Sequence, residues 1–316
     1  MKRIVTLTLA FAILLGISQQ AQAQKKELKG QISLSGAFAL YPLAVKWAEE
    51  FKKIHPGVRI DVSGGGAGKG ITDALAKVVD LGMVSREIHP EELKKGAWVV
   101  AVAKDAVVPT VNAKNPKIKE ILAKGLTQST AIKIYVTGEY KTWGQVLGTD
   151  SKIPIRLFNR SDASGAGETW AKYLGNKKQD DLLGTAIFGD AGLAAAVQKE
   201  PLGFGYNNIA YAYDLKTKRP NPGIVVWPVD VNGNGKVDAG ENFYGTSTQL
   251  VNAIAQGKYP SPPARDLYLV SNGKPTNPVV VAFLKFILTE GQKYNVPNGY
   301  IGLPKDRLGK EAAKLK

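Results

Sequence analysis

The sequence predicts an α/β protein folded as two lobes, and three observations predict it. Strand-like and helix-like segments alternate from Gln31 onward. The 316 residues, 44% of them hydrophobic, exceed what a single core usually organises. Two extended apolar stretches, Trp98 to Val111 and Leu267 to Val270, stand where the chain would cross from one unit to the other.

The elements follow in order. Gln31 to Leu34 reads as a strand that leads through a loop into an amphipathic helix from about Pro42 to Ile54. Val58 to Val62 leads through a glycine loop into a helix from about Ile71 to Val79, and Leu81 to Val84 closes a βαβαβ beginning. That pattern implies parallel strands with a ligand at their carboxyl ends. The run from Trp98 to Val111 has Lys104 and Asp105 in its middle and reads as a long buried strand. Helices are predicted at Lys117 to Ala123, Gly167 to Leu174 and Leu193 to Gln198, and a strongly apolar one at Pro278 to Leu288 after the second extended stretch. If both stretches are crossovers, residues 24–108 plus 270–316 form one lobe and 109–269 the other. No internal repeat of solenoid period and no low-complexity linker interrupts them.

The chain begins with Met1-Lys2-Arg3, an apolar run from Ile4 to Ile17, and Ala21-Gln22-Ala23, the three parts of a secretory signal. Residues 1–23 are thus expected to be removed near Ala23, leaving a soluble secreted protein. The apolar run is shorter than the ~20 residues of a spanning helix. With no cysteine there is no disulfide framework, no thiolate metal site and no lipid-modified terminal cysteine, so a lipoprotein is not expected.

The net charge is 42 − 27 = +15, and 40 − 27 = +13 without Lys2 and Arg3. Such a surplus raises the local concentration of anions. The lysines are scattered over amphipathic helices, with no basic block and no interleaved aromatic platform, so nucleic acid is not the expected partner.

Three loops place small residues where a strand becomes a helix: Ser35 to Leu40, Gly64 to Gly70, and Ser164 to Gly167. There, backbone N–H groups can approach an anion at the positive end of a helix dipole. Neither the GxGxxG nor the GxxxxGK[ST] spacing occurs, so no organic cofactor is expected. Arg160 lies four residues before the third loop, and its planar fork can take two oxygens of a tetrahedral oxyanion while Asp162 orients it. Arg86, with Ser85 beside it, follows the Leu81 strand and is a second candidate. His55 and His89 sit at helix ends, and Ser164 lacks a G-x-S-x-G elbow and a base, so no enzyme is expected.

The set "SGAFALYPLAVKWAEEF", "GGGAGKGI", "DLGMVSRE", "VTGEYKTWGQV", "RSDASGAG" and "AAAVQKEPLGFGYNNIAYA", in this order, resembles the substrate-binding protein of Pst-type phosphate ABC transporters over essentially the whole mature chain. The resemblance implies a type II periplasmic binding protein fold, two α/β lobes joined by two hinge strands, that captures inorganic phosphate or a related oxyanion in its cleft. It further implies a periplasmic monomer that delivers its ligand to membrane ABC permease subunits. By motif position the ligand contacts would be Leu40, Tyr41, Ala67, Ser85, Arg86, Arg160, Ser164, Gly165 and Ala166, with Asp162 buttressing Arg160. The chain departs from the family at Ala37, Phe38 and Leu40, at Ala67 and at Ala166, where the family offers hydroxyls. Each lost hydrogen bond to a charged ligand removes ~1.5–3 kcal/mol. A secreted anion sensor or adhesion module on the same fold is the alternative.

A separate motif spans Asp230 to Glu241, "DVNGNGKVDAGE". Asp230, Asn232, Asn234, Asp238 and Glu241 fall at loop positions one, three, five, nine and twelve, Gly235 at six, and Lys236 at seven, where a carbonyl binds. This is the full calcium-loop pattern. A structural Ca²⁺ in the second lobe is expected.

Overall fold

The computed structural model describes residues 27–316, so the predicted signal segment lies outside the described residues. Strands β1 (Gly30–Gly36) and β2 (Val58–Gly64) run parallel, and β3 (Leu81–Val84) lies parallel on the other side of β1. Helix α1 (Tyr41–Ile54) joins β1 to β2 and buries Leu43, Ala44, Trp47, Ala48 and Phe51. These positions recur with helical period along one face, and Pro42 sits in the first turn, where its missing N–H has no intrahelical partner to lose.

Helix α2 (Ala67–Leu75) joins β2 to β3. It starts at Ala67, four residues before the predicted Ile71, and ends before Val79, with Lys77 in the left-handed region at φ 57°. The glycines that made this stretch read as loop serve close packing instead. A Cβ built on Gly70 would lie 2.9 Å from the Gly36 Cα and 3.1 Å from the Met83 nitrogen.

After α3 (Pro90–Lys94), β4 (Ala97–Asn112) runs for 16 residues. It pairs antiparallel with β9 (Ala264–Asn272), from Ala97↔Asn272 to Ala106↔Ala264, with an irregularity between Ala101 and Ala103. The far half of β4 pairs with β7 (Gly203–Asn208) and β8 (Ile224–Val226). Beyond β7 lie β5 (Arg156–Arg160) and β6 (Thr185–Ile187), parallel to each other. The strand order is β2-β1-β3-β9-β4-β7-β5-β6, with β8 on β4.

The middle of the chain adds α4 (Ile118–Lys124), α5 (Gln128–Tyr135), α6 (Trp143–Leu147), α7 (Gly165–Tyr173), α8 (Gly189–Lys199), α9 (Ile209–Ala212) and α10 (Ser247–Ala255). The end adds α11 (Pro278–Leu288), where predicted, and α12 (Lys305–Ala313). Among the described residues no helix is long and apolar enough to cross a membrane.

Two cores result. One packs Ile32, Trp47, Leu81 and Phe283 and ends at Ala103 in β4 and Leu267 in β9. The other begins at Ala106 and Ala264 and packs Trp143, Trp170, Phe204 and Trp227. The change falls at Lys104 and Asp105, the two charged residues within the apolar run, so β4 and β9 are the two strands that pass between lobes.

Candidate functional site

Arg160 is the last residue of β5, and α7 begins five residues later. Its Nε and Nη2 donate to the two oxygens of Asp162 at 2.8 and 2.6 Å, and Nη1 donates to Asp190 Oδ2 at 2.7 Å. All three side chains are almost fully buried. Asp162 is pinned in turn by the Gly189 N–H at 3.0 Å. Burial opposes the guanidinium charge, but Asp190 and Asp162 more than offset it and hold its pKa above the ordinary value. The loop is set by Gln179, which donates to the carbonyls of Asp162 and Arg160 and accepts from the Ser164 N–H.

Asp190 was not among the predicted site residues. Its signal was a strand-to-helix step, β6 into α8, with an acid in the first turn. Its second oxygen accepts from Asn208 Nδ2. Asn208 Oδ1 accepts from Nη2 of Arg265, a buried β9 residue also missed, whose Nη1 donates to the Gly165 carbonyl at 2.7 Å. Arg265 faces Asp105 of β4 at 3.4 Å. A buried polar chain therefore runs from Arg160 to the crossing strands.

The first loop contributes an aromatic ring. Phe38 stands 5.7 Å from the Arg160 guanidinium carbon, packs edge-on against Phe188 at 5.8 Å, and lies so near Gly64 that a Cβ there would meet ring carbons at 2.5 and 2.8 Å. Its carbonyl accepts from the Tyr211 hydroxyl of the other lobe. Phe38 is thus a cation–π partner for the arginine.

At this loop the amides of Leu40 and Tyr41 are engaged within the turn. The Leu40 N–H donates to the Ala37 carbonyl at 3.0 Å, and the Tyr41 N–H to the carbonyls of Ala37 and Phe38. Both amides close the four-residue turn, Ala37 to Leu40, between β1 and α1. Ser164 likewise caps its own helix, its Oγ accepting from Ala166 and Gly167 at 3.1 and 3.2 Å. Ala67, Ser85, Asp162, Ser164, Gly165 and Ala166 do converge. The Gly68 N–H donates to the Ala163 carbonyl across the cleft at 3.1 Å, and a Cβ on Gly165 would lie 2.6 Å from the Ser85 carbonyl oxygen.

Arg86 is held by carboxylates. Nη1 and Nη2 donate to both oxygens of Glu92, at 2.9 and 2.7 Å, and Nε lies 3.1 Å from Glu168 of α7. Lys172 and Glu87 pair across the same gap at 2.6 Å. Arg86 thus joins Glu92 on its own side to Glu168 of α7 across the gap. A cavity of about 920 Å³ opens beside it, lined by Arg86, Glu168, Lys172, Arg265 and Asp266. Glu168→Gln removes the charge that reaches across and is expected to weaken closure by ~1 kcal/mol, about fivefold. Small-angle scattering should report a larger radius of gyration than wild type; an unchanged radius would count against the tie.

In the loop from Asp230 to Glu241, the Asp230 carboxylate accepts from the N–H groups of Gly233 and Gly235 at 2.7 and 2.8 Å. Glu241 accepts from Val231, Asn232 and Asp238, and Asp238 accepts from the side chains of Asn232 and Asn234. Lys236 turns its ammonium toward Asp238 at 3.3 Å. The loop is anchored on the Leu126 and Ala123 carbonyls. Among the described residues no group of three or more His, Cys, Asp or Glu side chains is close enough together to hold a metal ion.

Comparison with known proteins agrees with this architecture. The chain is 29% identical to the phosphate-binding protein PstS of Pseudomonas aeruginosa, covering 88% of this chain and 84% of that one. It is 26% identical to the phosphate-binding protein PstS of Staphylococcus haemolyticus, covering 92% and 87%. A Clostridium perfringens substrate-binding protein solved with bound phosphate superposes with a TM-score of 0.71 at 24% identity, over 87% of this chain and all of that one. An ABC-type phosphate transport receptor from Vibrio cholerae shares the fold with a TM-score of 0.63 at 21% identity, over 86% of this chain. A model of the PBP superfamily domain matches residues 21–290, and with two α/β lobes joined by two crossing strands the chain belongs to the PBP superfamily.

Proposed function

We propose that the protein is a secreted, periplasmic solute-binding protein that captures an inorganic oxyanion, phosphate foremost, between its lobes and delivers it to an ABC permease. The observation that carries this reading is Arg160, a permanently charged group buried at the end of β5, before α7, where loops of both lobes meet. A guanidinium has five N–H donors, three of which the two aspartates engage, so two remain for a ligand. The names of the relatives support phosphate as that ligand.

An oxyanion stripped of water is costly to bury unless it is fully hydrogen-bonded, so donors from both lobes must enclose it and closure follows binding. The crossing strands β4 and β9 serve as the hinge, and the closed surface is what a permease reads. Equilibrium dialysis of ligand-stripped protein against labelled phosphate, with arsenate, sulfate, molybdate and tungstate as competitors, tests the reading. Tight binding displaced by arsenate is expected; no phosphate binding would overturn it.

We further propose that the loop from Asp230 to Glu241 takes a structural Ca²⁺ with the weak affinity of extracellular modules, about 10⁻⁴–10⁻³ M. Its support is the spacing of oxygen-bearing side chains and the buried, inward-turned Asp230 and Glu241. At a Ca²⁺ concentration ten times Kd, stabilisation of about 1.4 kcal/mol is expected. A melting temperature that rises with Ca²⁺ and returns with chelator would bear this out, and one indifferent to Ca²⁺ would refute it.

A further inference from the structure

We propose that Asp190 competes with the bound oxyanion for Arg160, so that capture takes up a proton and strengthens as the pH falls. The inference rests on the oxyanion reading above and deepens it. It starts from a charge count. Around Arg160 the buried cluster sets one guanidinium against the two carboxylates Asp162 and Asp190, 1 − 2 = −1, before any ligand arrives, while Arg265 faces Asp105 beyond them. Asp162 alone neutralises Arg160 through a two-pronged contact. Asp190 is a second carboxylate on the same cation, and an anion that joins them faces a site already negative.

Geometry makes Asp190 the group that must yield. It is 2% exposed, with one oxygen on Arg160 Nη1 and the other on Asn208 Nδ2, so it cannot turn to water while the lobes are closed. Asp162 is held more firmly, by two guanidinium nitrogens and the Gly189 amide. When an oxyanion takes part of the Arg160 charge, Asp190 loses the attraction that keeps it ionised, and burial favours its neutral form.

The other groups facing Asp190 leave it alone in this role. Tyr206 of β7, Tyr211 of α9 and Tyr300 are held far above neutrality by burial and stay uncharged. Asp105 across the hinge is pushed up to about 7 by burial, against the pull of Arg265, but it touches neither Arg160 nor the loop before α7. Asp190 is itself raised by burial, with Arg160 and then Arg265 opposing. The proton comes from solution or arrives on the ligand's own hydroxyl; no covalent bond changes.

The test is calorimetric binding of phosphate to the full mature protein and to Asp190→Asn, between about pH 5.5 and about pH 8.5, in two buffers of different ionisation enthalpy. Phosphate's own titration is common to both proteins, so their difference isolates the side chain. Wild type is expected to take up a proton on binding that the variant does not. Its affinity should fall more steeply with pH, by up to about tenfold per unit, and the variant should bind at least about tenfold more tightly at the alkaline end. Equal slopes, or equal proton uptake in wild type and variant, would overturn the inference while leaving the oxyanion reading intact. Binding of phosphate by neither protein at any pH would overturn both. Should Asp190→Asn fail to fold, Asp190→Ser makes the same comparison, and proton uptake equal to wild type there would overturn the inference.

Discussion

Arg160→Met is expected to abolish phosphate binding and to cost about 3–5 kcal/mol of stability at neutral pH, the range for breaking a buried pair by removing one partner. The physical reason is what is left behind. Asp162 and Asp190 are both nearly inaccessible to water, and without the guanidinium they are two carboxylates with no cation between them. The loss should also depend on pH in a defined direction. In the variant Asp190 loses the cation that opposes the raising effect of burial, so the folded form binds more protons and its stability falls as pH rises. Denaturant unfolding should therefore show a deficit that is small near about pH 4.5 and large above about pH 6. A deficit that is the same at both would mean that the aspartates find other partners.

Gly70→Ala is expected to be a strongly damaging single-methyl change at the packing of α2 on β1 and β3. The added carbon would fall inside contact distance of the Met83 carbonyl oxygen and 2.9 Å from the Gly36 Cα, so two β-strands and a helix would have to move apart. Overpacking of this kind costs about 1–3 kcal/mol, and the upper end applies here because backbone, not a flexible side chain, stands in the way. The change should also weaken phosphate binding, since α2 carries the second loop toward Ala163. Thermal melting and dialysis on the same preparation would check both; a variant as stable as wild type would show that α2 can lift off β3 at no cost.

Much of the architecture was legible because period and length carry it. The amphipathic face of α1, the apolar run of β4 and the apolar helix α11 were readable from which residues recur at which spacing. Two helices that were not named also carried signals. Thr142 with Gln145 and Thr246 with Gln249 place a capping threonine three residues ahead of a glutamine, and both threonines accept from that residue's N–H. The extent of α2 was hidden, because glycine composition reads as loop while the contact that demands glycine lies on strands 34 residues upstream and 13 downstream, at Gly36 and Met83.

The site divides in the same way. Arg160 and Asp162 were legible together, since two residues of separation at a strand end lets a short carboxylate reach a fork. Asp190, Asn208 and Arg265 reach the same cluster from α8, β7 and β9, tens of residues away; Asp190's place in a first helical turn is a local signal, but the meeting of the three is not written in their local sequence. Arg86 illustrates the converse, for its position after β3 pointed to a ligand and only Glu92 and Glu168 explain where its charge goes.

By itself the sequence determined the two lobes, the crossing strands, the absence of cysteine chemistry and the presence of one well-placed guanidinium, because periodicity, length and residue type act locally. Only the tertiary structure decided how that guanidinium is shared. Coulomb energy depends on distances between groups remote in the chain, and burial sets the dielectric in which those groups meet.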